Sequence, residues 1–125
     1  MKFEGNHELP SLELIEDEGI LKIWGRSIMM EPKDFWQPLY EKMDVYLEDP
    51  RDIVISIDLE FFNTPTAKKL LDLLNLLKVK TDKNKRKLLI KWFYEDEDIK
   101  EAGEDYQSMI TNSKWKFIEK ENGNN

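Results

Sequence analysis

The chain has 125 residues, no cysteine, and a formal net charge of −7 from 19 basic and 26 acidic side chains. This length fits one compact domain, and the lack of cysteine excludes disulfides, thiolate zinc sites and cysteine catalysis. The negative charge disfavours binding to nucleic acid. Because no apolar stretch approaches the ~20 residues of a membrane span, we expect a cytoplasmic protein without membrane insertion.

The first half of the chain predicts a hairpin followed by a helix. The runs 12–16 and 20–24 flank a short turn with a glycine, which is typical of a β-hairpin. Apolar residues at helical spacing then predict a helix from about residue 34 to Asp49-Pro50, where the proline ends it.

In the second half, strands alternate with helices. The clearest strand is 53–62, in which isoleucines and leucine alternate with Ser56, Asp58 and Glu60. One face of this strand is therefore core and the other is partly wet, which favours helices mainly on one face of the sheet. The remaining predicted elements are a helix over 65–79, a strand over 88–94, a helix over 95–110 and a strand over 114–118.

The predicted fold is a single α/β domain with a mixed sheet and the element order ββαβαβαβ. The domain is expected to span residues 11–119. Residues 1–10 are predicted to be a flexible N-terminal segment, and the polar residues 120–125 a disordered tail.

One cluster of acidic side chains in the sequence has the chemistry of a metal site. The acidic run 95–98 suggests a metal-dependent enzyme as one alternative, but it lacks the alternating ligands and central glycine of a calcium loop. Acidic residues in the first turn of a helix also interact favourably with its dipole. We therefore predict no catalytic residue, no metal site and no cofactor, and expect that the protein is not an enzyme.

The junction between the strand 53–62 and the next helix offers a candidate switch. Thr64 is placed to be the N-cap of that helix, with Pro65 at its first position. One interpretation is that Thr64 is only a cap. The other is that it is phosphorylated, because a helix N-terminus accommodates the added negative charge.

The helix over 65–79 carries an exposed polar face beside this threonine. We expect the partner-binding surface to comprise Asn63, Thr64, Pro65, Lys68, Asp72 and Asn75. The apolar arc of the same helix is wider than a one-sided surface helix requires. Burial under a neighbouring helix explains this width, and so does a purely structural homodimer held through that arc.

Several short motifs, in this order and spacing, give the chain a resemblance over residues 12–117 to the SiaC family of bacterial regulatory phosphoproteins. They are Gly25-Arg26-Ser27, Phe35-Trp36-Gln37-Pro38, Leu59-Glu60-Phe61-Phe62-Asn63-Thr64, Lys68 with Leu70-Leu71-Asp72-Leu73-Leu74, Trp92-Phe93-Tyr94-Glu95, and Glu101-Ala102-Gly103-Glu104-Asp105.

The resemblance implies a fold like the STAS domains and a partner-switching function. In such a switch a dedicated Ser/Thr kinase phosphorylates a threonine that falls on Thr64 here, and a PP2C-type phosphatase removes the phosphate. The unphosphorylated form is expected to bind and activate an effector, a diguanylate cyclase, which raises cyclic-di-GMP and favours biofilm. Pro65 stands where the family usually has a small hydroxyl residue, which makes Thr66 a second candidate acceptor.

Overall fold

The computed structural model of the chain describes residues 1–31 and 33–121. These residues form one sheet of six strands and three helices. In chain order the elements are β1 (Lys2–Phe3), β2 (Ser11–Ile15), β3 (Ile20–Ser27), α1 (Lys33–Tyr46), β4 (Ile53–Phe62), α2 (Thr64–Lys83), β5 (Leu88–Tyr94), α3 (Glu97–Met109) and β6 (Lys114–Glu119).

The strands lie in the sheet in the same order as in the chain, from β1 to β6. The first three strands pair antiparallel. Strands β3 to β6 pair parallel, and one helix connects each of them to the next. The predicted mixed α/β fold and its ββαβαβαβ order are confirmed, with β1 as an additional edge strand.

The core lies on one face of the sheet, as the alternation in β4 predicts. Ile53, Ile55 and Ile57 are at most 1% exposed, whereas Ser56 and Asp58 on the other face are half-buried. The apolar residues of α1, α2 and α3 belong to the same core cluster as the inward residues of the strands. The three helices therefore cover the same face, and the polar side of β4 belongs to the opposite one.

Helix α2 is held between its neighbours and extends to Lys83, beyond the predicted end near residue 79. The Tyr40 hydroxyl of α1 donates to the Lys69 carbonyl at 2.6 Å, and the Tyr106 hydroxyl of α3 donates to the Ala67 carbonyl at 2.7 Å. The outer leucines of the wide apolar arc, Leu71 and Leu76, are half-buried against the core. Packing within the chain thus accounts for the arc that had suggested a homodimer.

Of the helices that the structure describes, none combines the length and apolar character that crossing a bilayer requires.

The two chain ends differ from their predictions. Instead of a flexible segment throughout residues 1–10, β1 pairs with β2, and the Asn6 side chain accepts the backbone N–H groups of Glu8 and Leu9 at 2.8 and 2.9 Å. At the other end Lys120, expected in a disordered tail, donates its N–H to the Tyr94 carbonyl at 2.8 Å. Residues 122–125 of the predicted tail lie outside the described residues.

Candidate functional site

The candidate site lies where the carboxyl ends of β3 and β4 meet the start of α2. Strand β3 reaches this point through an irregular register between Gly25 and Arg26, and Gly25 has a φ of 110° that favours glycine. Beyond it Ser27 pairs with Phe62 and is fully buried. The Asn63 N–H donates to the Ser27 carbonyl at 3.0 Å. This hydrogen bond holds the end of β3 against Asn63, the residue between β4 and α2.

Asn63 caps α2, a role that the sequence analysis gives to Thr64. Its backbone is extended, with φ −89° and ψ 177°, and its side-chain oxygen accepts the Thr66 N–H at 3.1 Å. The Asn63 amide also donates to the Met29 carbonyl at 3.2 Å. Thr64 and Pro65 become the first two helical residues, where the missing proline N–H costs little. The prediction was wrong by one residue because Asn and Thr are both good caps and the periodicity does not separate them.

Thr66, the second candidate acceptor, faces the interior. It is fully buried, and its hydroxyl oxygen lies 2.6 Å from that of Ser27. The Thr66 hydroxyl also lies 3.3 Å from the Ser27 carbonyl, which it can use as an acceptor. The expectation that Thr66 accepts phosphate does not fit the folded chain, because a kinase would first have to unpack the start of α2. Sequence reasoning missed the role of Ser27, whose only signal was its place in the Gly25-Arg26-Ser27 motif.

Thr64 itself is exposed and lines a groove of about 370 Å³ at the start of α2. The groove brings together four of the predicted site residues, Thr64, Pro65, Lys68 and Asp72. Two others are not part of it: Asn63 turns inward as the cap, and Asn75 lies exposed farther along the helix.

The other side of the groove comes from a segment that the sequence analysis did not connect to Thr64. This is the end of the loop after β3 and the start of α1, and the residues it contributes are Met30, Glu31 and Lys33. Met30 is 73% exposed, which makes it the most exposed large apolar side chain of the described residues. No local pattern predicts this proximity, because it depends on how α1 and α2 pack together.

Tyr40 holds the two helices together beside the groove. Burial, and after it the negative charge of Asp72, raise the pKa of Tyr40 well above its ordinary value. The hydroxyl therefore stays protonated and keeps donating to the Lys69 carbonyl. The wall of the groove formed by Lys69 and Asp72 is thus fixed to α1.

The acidic run 95–98 has a structural role at the start of α3. Asp96 is the N-cap, and its carboxylate accepts the Ile99 N–H at 2.9 Å. Glu97 and Asp98 lie in the first turn, where carboxylates interact favourably with the helix dipole. Within residues 1–31 and 33–121, no group of three or more His, Cys, Asp or Glu side chains is arranged to hold a metal ion.

Comparisons with known proteins bear on the family and the fold of the chain. The sequence model of a family described as SiaC family regulatory phosphoprotein matches residues 3–120. No curated protein matches the chain.

Solved structures with the same fold come from Pseudomonas aeruginosa. One is apo-SiaC, with a TM-score of 0.86 and 18% identity, covering 94% of this chain and 97% of that one. Another is a chain in the crystal structure of the diguanylate cyclase SiaD in complex with its activator SiaC. It has a TM-score of 0.88 and 18% identity, and covers 96% of this chain and 99% of that one.

Proposed function

The chain belongs to the SiaC family of regulatory phosphoproteins, and we propose that phosphorylation of Thr64 decides which partner it binds. The unphosphorylated form binds and activates an effector, a diguanylate cyclase. A Ser/Thr kinase adds the phosphate and a PP2C-type phosphatase removes it. In this proposal the protein acts in the cytoplasm by binding, without catalytic activity of its own.

The observation that carries the proposal is the contrast between Thr64 and two nearby polar residues, Asn63 and Thr66. Asn63 and Thr66 turn inward and fix the start of α2 through their hydrogen bonds, whereas the Thr64 side chain is exposed in the groove. A kinase can therefore reach the Thr64 hydroxyl without disturbing the cap. A phosphate added there stays outside the core, so the fold is retained while the surface changes.

The charge of the groove supports a switch in sign. Lys33, Lys68 and Lys69 against Glu31 and Asp72 give its lining a formal charge of +1. A phosphate carries about −1.5 to −2 charges at neutral pH and would make this lining negative. The lysines and the N-terminus of α2 stabilise the phosphate locally. A partner whose surface is complementary to a positive groove is then repelled.

The groove also offers an apolar contact, which the phosphate would disturb. Met30 and Pro65 line it beside Thr64. A partner that covers these side chains must also cover the Thr64 hydroxyl. Burying a doubly charged phosphate in such an interface is costly, because the charge loses its water. Repulsion and desolvation therefore act in the same direction.

The assignment of a diguanylate cyclase as effector is supported by one solved relative. SiaC of the same fold is the activator of the diguanylate cyclase SiaD and forms a complex with it. A kinase and a phosphatase as further partners are in keeping with the family description as regulatory phosphoproteins.

The first test is a pull-down from native lysate with wild type, Thr64→Ala and Thr64→Asp as baits, read by mass spectrometry. We expect a diguanylate cyclase with the first two baits and its loss with Thr64→Asp. Thr111→Asp is the matched control, because Thr111 is also exposed but lies in the turn after α3. It should retain the cyclase.

Two outcomes would contradict the proposal. If all four baits retain the same proteins, the charge at Thr64 does not control binding. If Thr111→Asp loses the cyclase as fully as Thr64→Asp does, the effect is one of overall charge rather than of the groove.

A further inference from the structure

The face of the sheet that the three helices leave uncovered has a regular pattern of its own. A hollow of about 600 Å³ lies on this face, over strands β3, β4 and β5. Its charged lining residues are Lys22, Lys91, Glu13 and Asp58, and its apolar ones include Trp24, Val54 and Phe93. We call this surface the open face.

Lysines form a line across the open face, perpendicular to the strands. The register pairs Lys22 of β3 with Ser56 of β4, Ser56 with Lys91 of β5, and Lys91 with Lys116 of β6. Paired residues in neighbouring strands point to the same side of a sheet. Lys22, Lys91 and Lys116 therefore form one lysine row on a protein whose net charge is −7.

Apolar side chains border the lysine row on both sides. Two residues before it along the strands, the register aligns Ile20, Val54 and Leu89. Two residues after it lie Trp24, Phe93 and Ile118, and Trp24 is 39% exposed. With ~3.3 Å per residue along a strand, each apolar row lies about 7 Å from the lysine row.

The three lysines of the row form no ion pair within the described part of the chain. Among the described residues no carboxylate lies within 4.0 Å of Lys22, Lys91 or Lys116, although Glu13 of β2 stands opposite Lys22 in the register. The carboxylate of Asp58, in the next row, is already bound to Lys120 at 2.9 Å. The row thus presents positive charge for an external acidic group.

We propose that the open face is a docking site for an acidic α-helix of a partner protein. Neighbouring strands lie ~4.8 Å apart, so Lys91 is about 10 Å from Lys22 and Lys116 about 5 Å further. Carboxylates at positions i, i+7 and i+10 of a helix are spaced by about 10 and 5 Å. A helix of about 10 Å diameter also fits between the two apolar rows, and its flanking apolar side chains cover them.

Charge complementarity favours this occupant over two others. A two-fold dimer through the open face would bring one lysine row against that of the second copy, with like charges opposed. A nucleic acid, as an extended polyanion, would meet the negative field of the chain over a longer contact than a short helix does. An acidic helix of limited size complements the row and also covers the apolar borders.

The open face is distinct from the Thr64 groove, which α1 and α2 form on the other side of the sheet. It therefore goes beyond the proposed switch, and docking here does not require Thr64 to be unphosphorylated. The two proposals can fail separately.

The test uses an about 18-residue synthetic helical peptide with Glu at i, i+7 and i+10 between leucines, and its twin with Lys for Glu. Each is titrated into the ¹⁵N-labelled full chain, and the shifted backbone amides are mapped. The acidic peptide is expected to shift amides of β3 to β6 and to bind about tenfold or more tightly than its twin. Thr64→Asp should bind it as wild type does.

Variants of the row keep the proposal open to refutation. Lys22→Glu with Lys91→Glu should reverse the peptide preference. Lys22→Gln with Lys91→Gln should abolish it, because glutamine removes the positive charge and keeps a polar side chain. Lys83→Glu with Lys87→Glu is the control, since both lysines are exposed and lie outside the row. It should leave the preference unchanged.

The remaining outcomes overturn the proposal. These are equal binding of the two peptides, shifts confined to the helices, or no binding of the acidic peptide at about 1 mM. The same holds if oligodeoxythymidine binds these strands more tightly, or if the chain alone forms a dimer that Lys22→Glu with Lys91→Glu dissociates.

Discussion

The hydroxyl oxygens of Ser27 and Thr66 lie 2.6 Å apart, although 39 positions separate the two residues in the chain. Both side chains are fully buried. This contact joins the end of β3 to the first turn of α2, directly beneath the exposed Thr64. Thr64, the proposed switch residue, therefore lies at a helix start that a buried hydrogen bond holds against β3.

Removing one partner of this pair should be costly, because the other is left buried without a hydrogen bond. Thr66→Val is expected to lower the free energy of unfolding by about 1–3 kcal/mol in urea denaturation. Adding Ser27→Ala should cost less than the sum of the two single changes, since the pair is lost only once. Thr111→Val, at an exposed threonine, should stay within about 0.5 kcal/mol of wild type. Strict additivity would show that the two hydroxyls do not interact.

The cap assignment makes a second prediction that separates Asn63 from Thr64. Asn63→Ala should lower the free energy of unfolding by about 1 kcal/mol, because the Thr66 N–H loses its acceptor. Thr64→Ala, at an exposed first helical position, should change it by less than about 0.5 kcal/mol. Urea denaturation of both variants provides the measurement. A larger loss for Thr64→Ala than for Asn63→Ala would restore Thr64 as the cap.

Phosphorylation should be confined to the exposed hydroxyl. When the folded protein is phosphorylated by its kinase, peptide mapping is expected to find phosphate on Thr64 and none on the buried Thr66. Thr64→Ala should lose it. Undiminished incorporation in Thr64→Ala, mapped to Thr66, would mean that the start of α2 opens during the reaction.

The stability of the protein should fall at alkaline pH through Tyr40. Burial and the Asp72 charge raise the pKa of this tyrosine above its ordinary value of 10.0. As the pH rises past 10.0 the unfolded chain releases the proton first, so the stabilisation present below this pH is progressively lost. Tyr40→Phe should show a shallower decline between about pH 9 and 11 in urea denaturation. A decline as steep as that of wild type would mean that other groups cause it.

Gly103→Ala should change the free energy of unfolding in the direction opposite to that expected from helix propensity. In an exposed helix, Gly→Ala is stabilising by about 1 kcal/mol. Here the added Cβ would lie 2.6 Å from the Trp92 ring and 2.8 Å from that of Phe117. Gly103→Ala should therefore destabilise the protein by about 1–3 kcal/mol. Gln107→Ala, exposed in the same helix, is the control, and a stabilised Gly103→Ala would show that the packing around Trp92 adapts.

The sequence predicts those parts of the fold that depend on residues close together in the chain. The alternation from Ile53 to Leu59 reports directly on burial, so β4 and the one-sided core could be predicted. β1 could not, because two residues carry no periodicity and their strand forms only by pairing with β2. The bounds of α2 were short by one turn because its last residues are polar and show no apolar period.

The candidate site divides in the same way. Thr64 could be located because a strand end, a proline and an apolar helix follow one another in the chain. Met30 and Lys33 could not be assigned to the same groove, since their proximity to Thr64 arises from helix packing. The inward orientation of Thr66 was missed for a similar reason. Its partner Ser27 lies on another strand.

The order of the strands has a consequence for how the chain assembles during synthesis. Since the six strands lie in the sheet in chain order, each new strand joins the edge formed by the one made just before it. No later segment has to be inserted between strands that have already paired. This order is compatible with a sheet that is extended at one edge as translation proceeds.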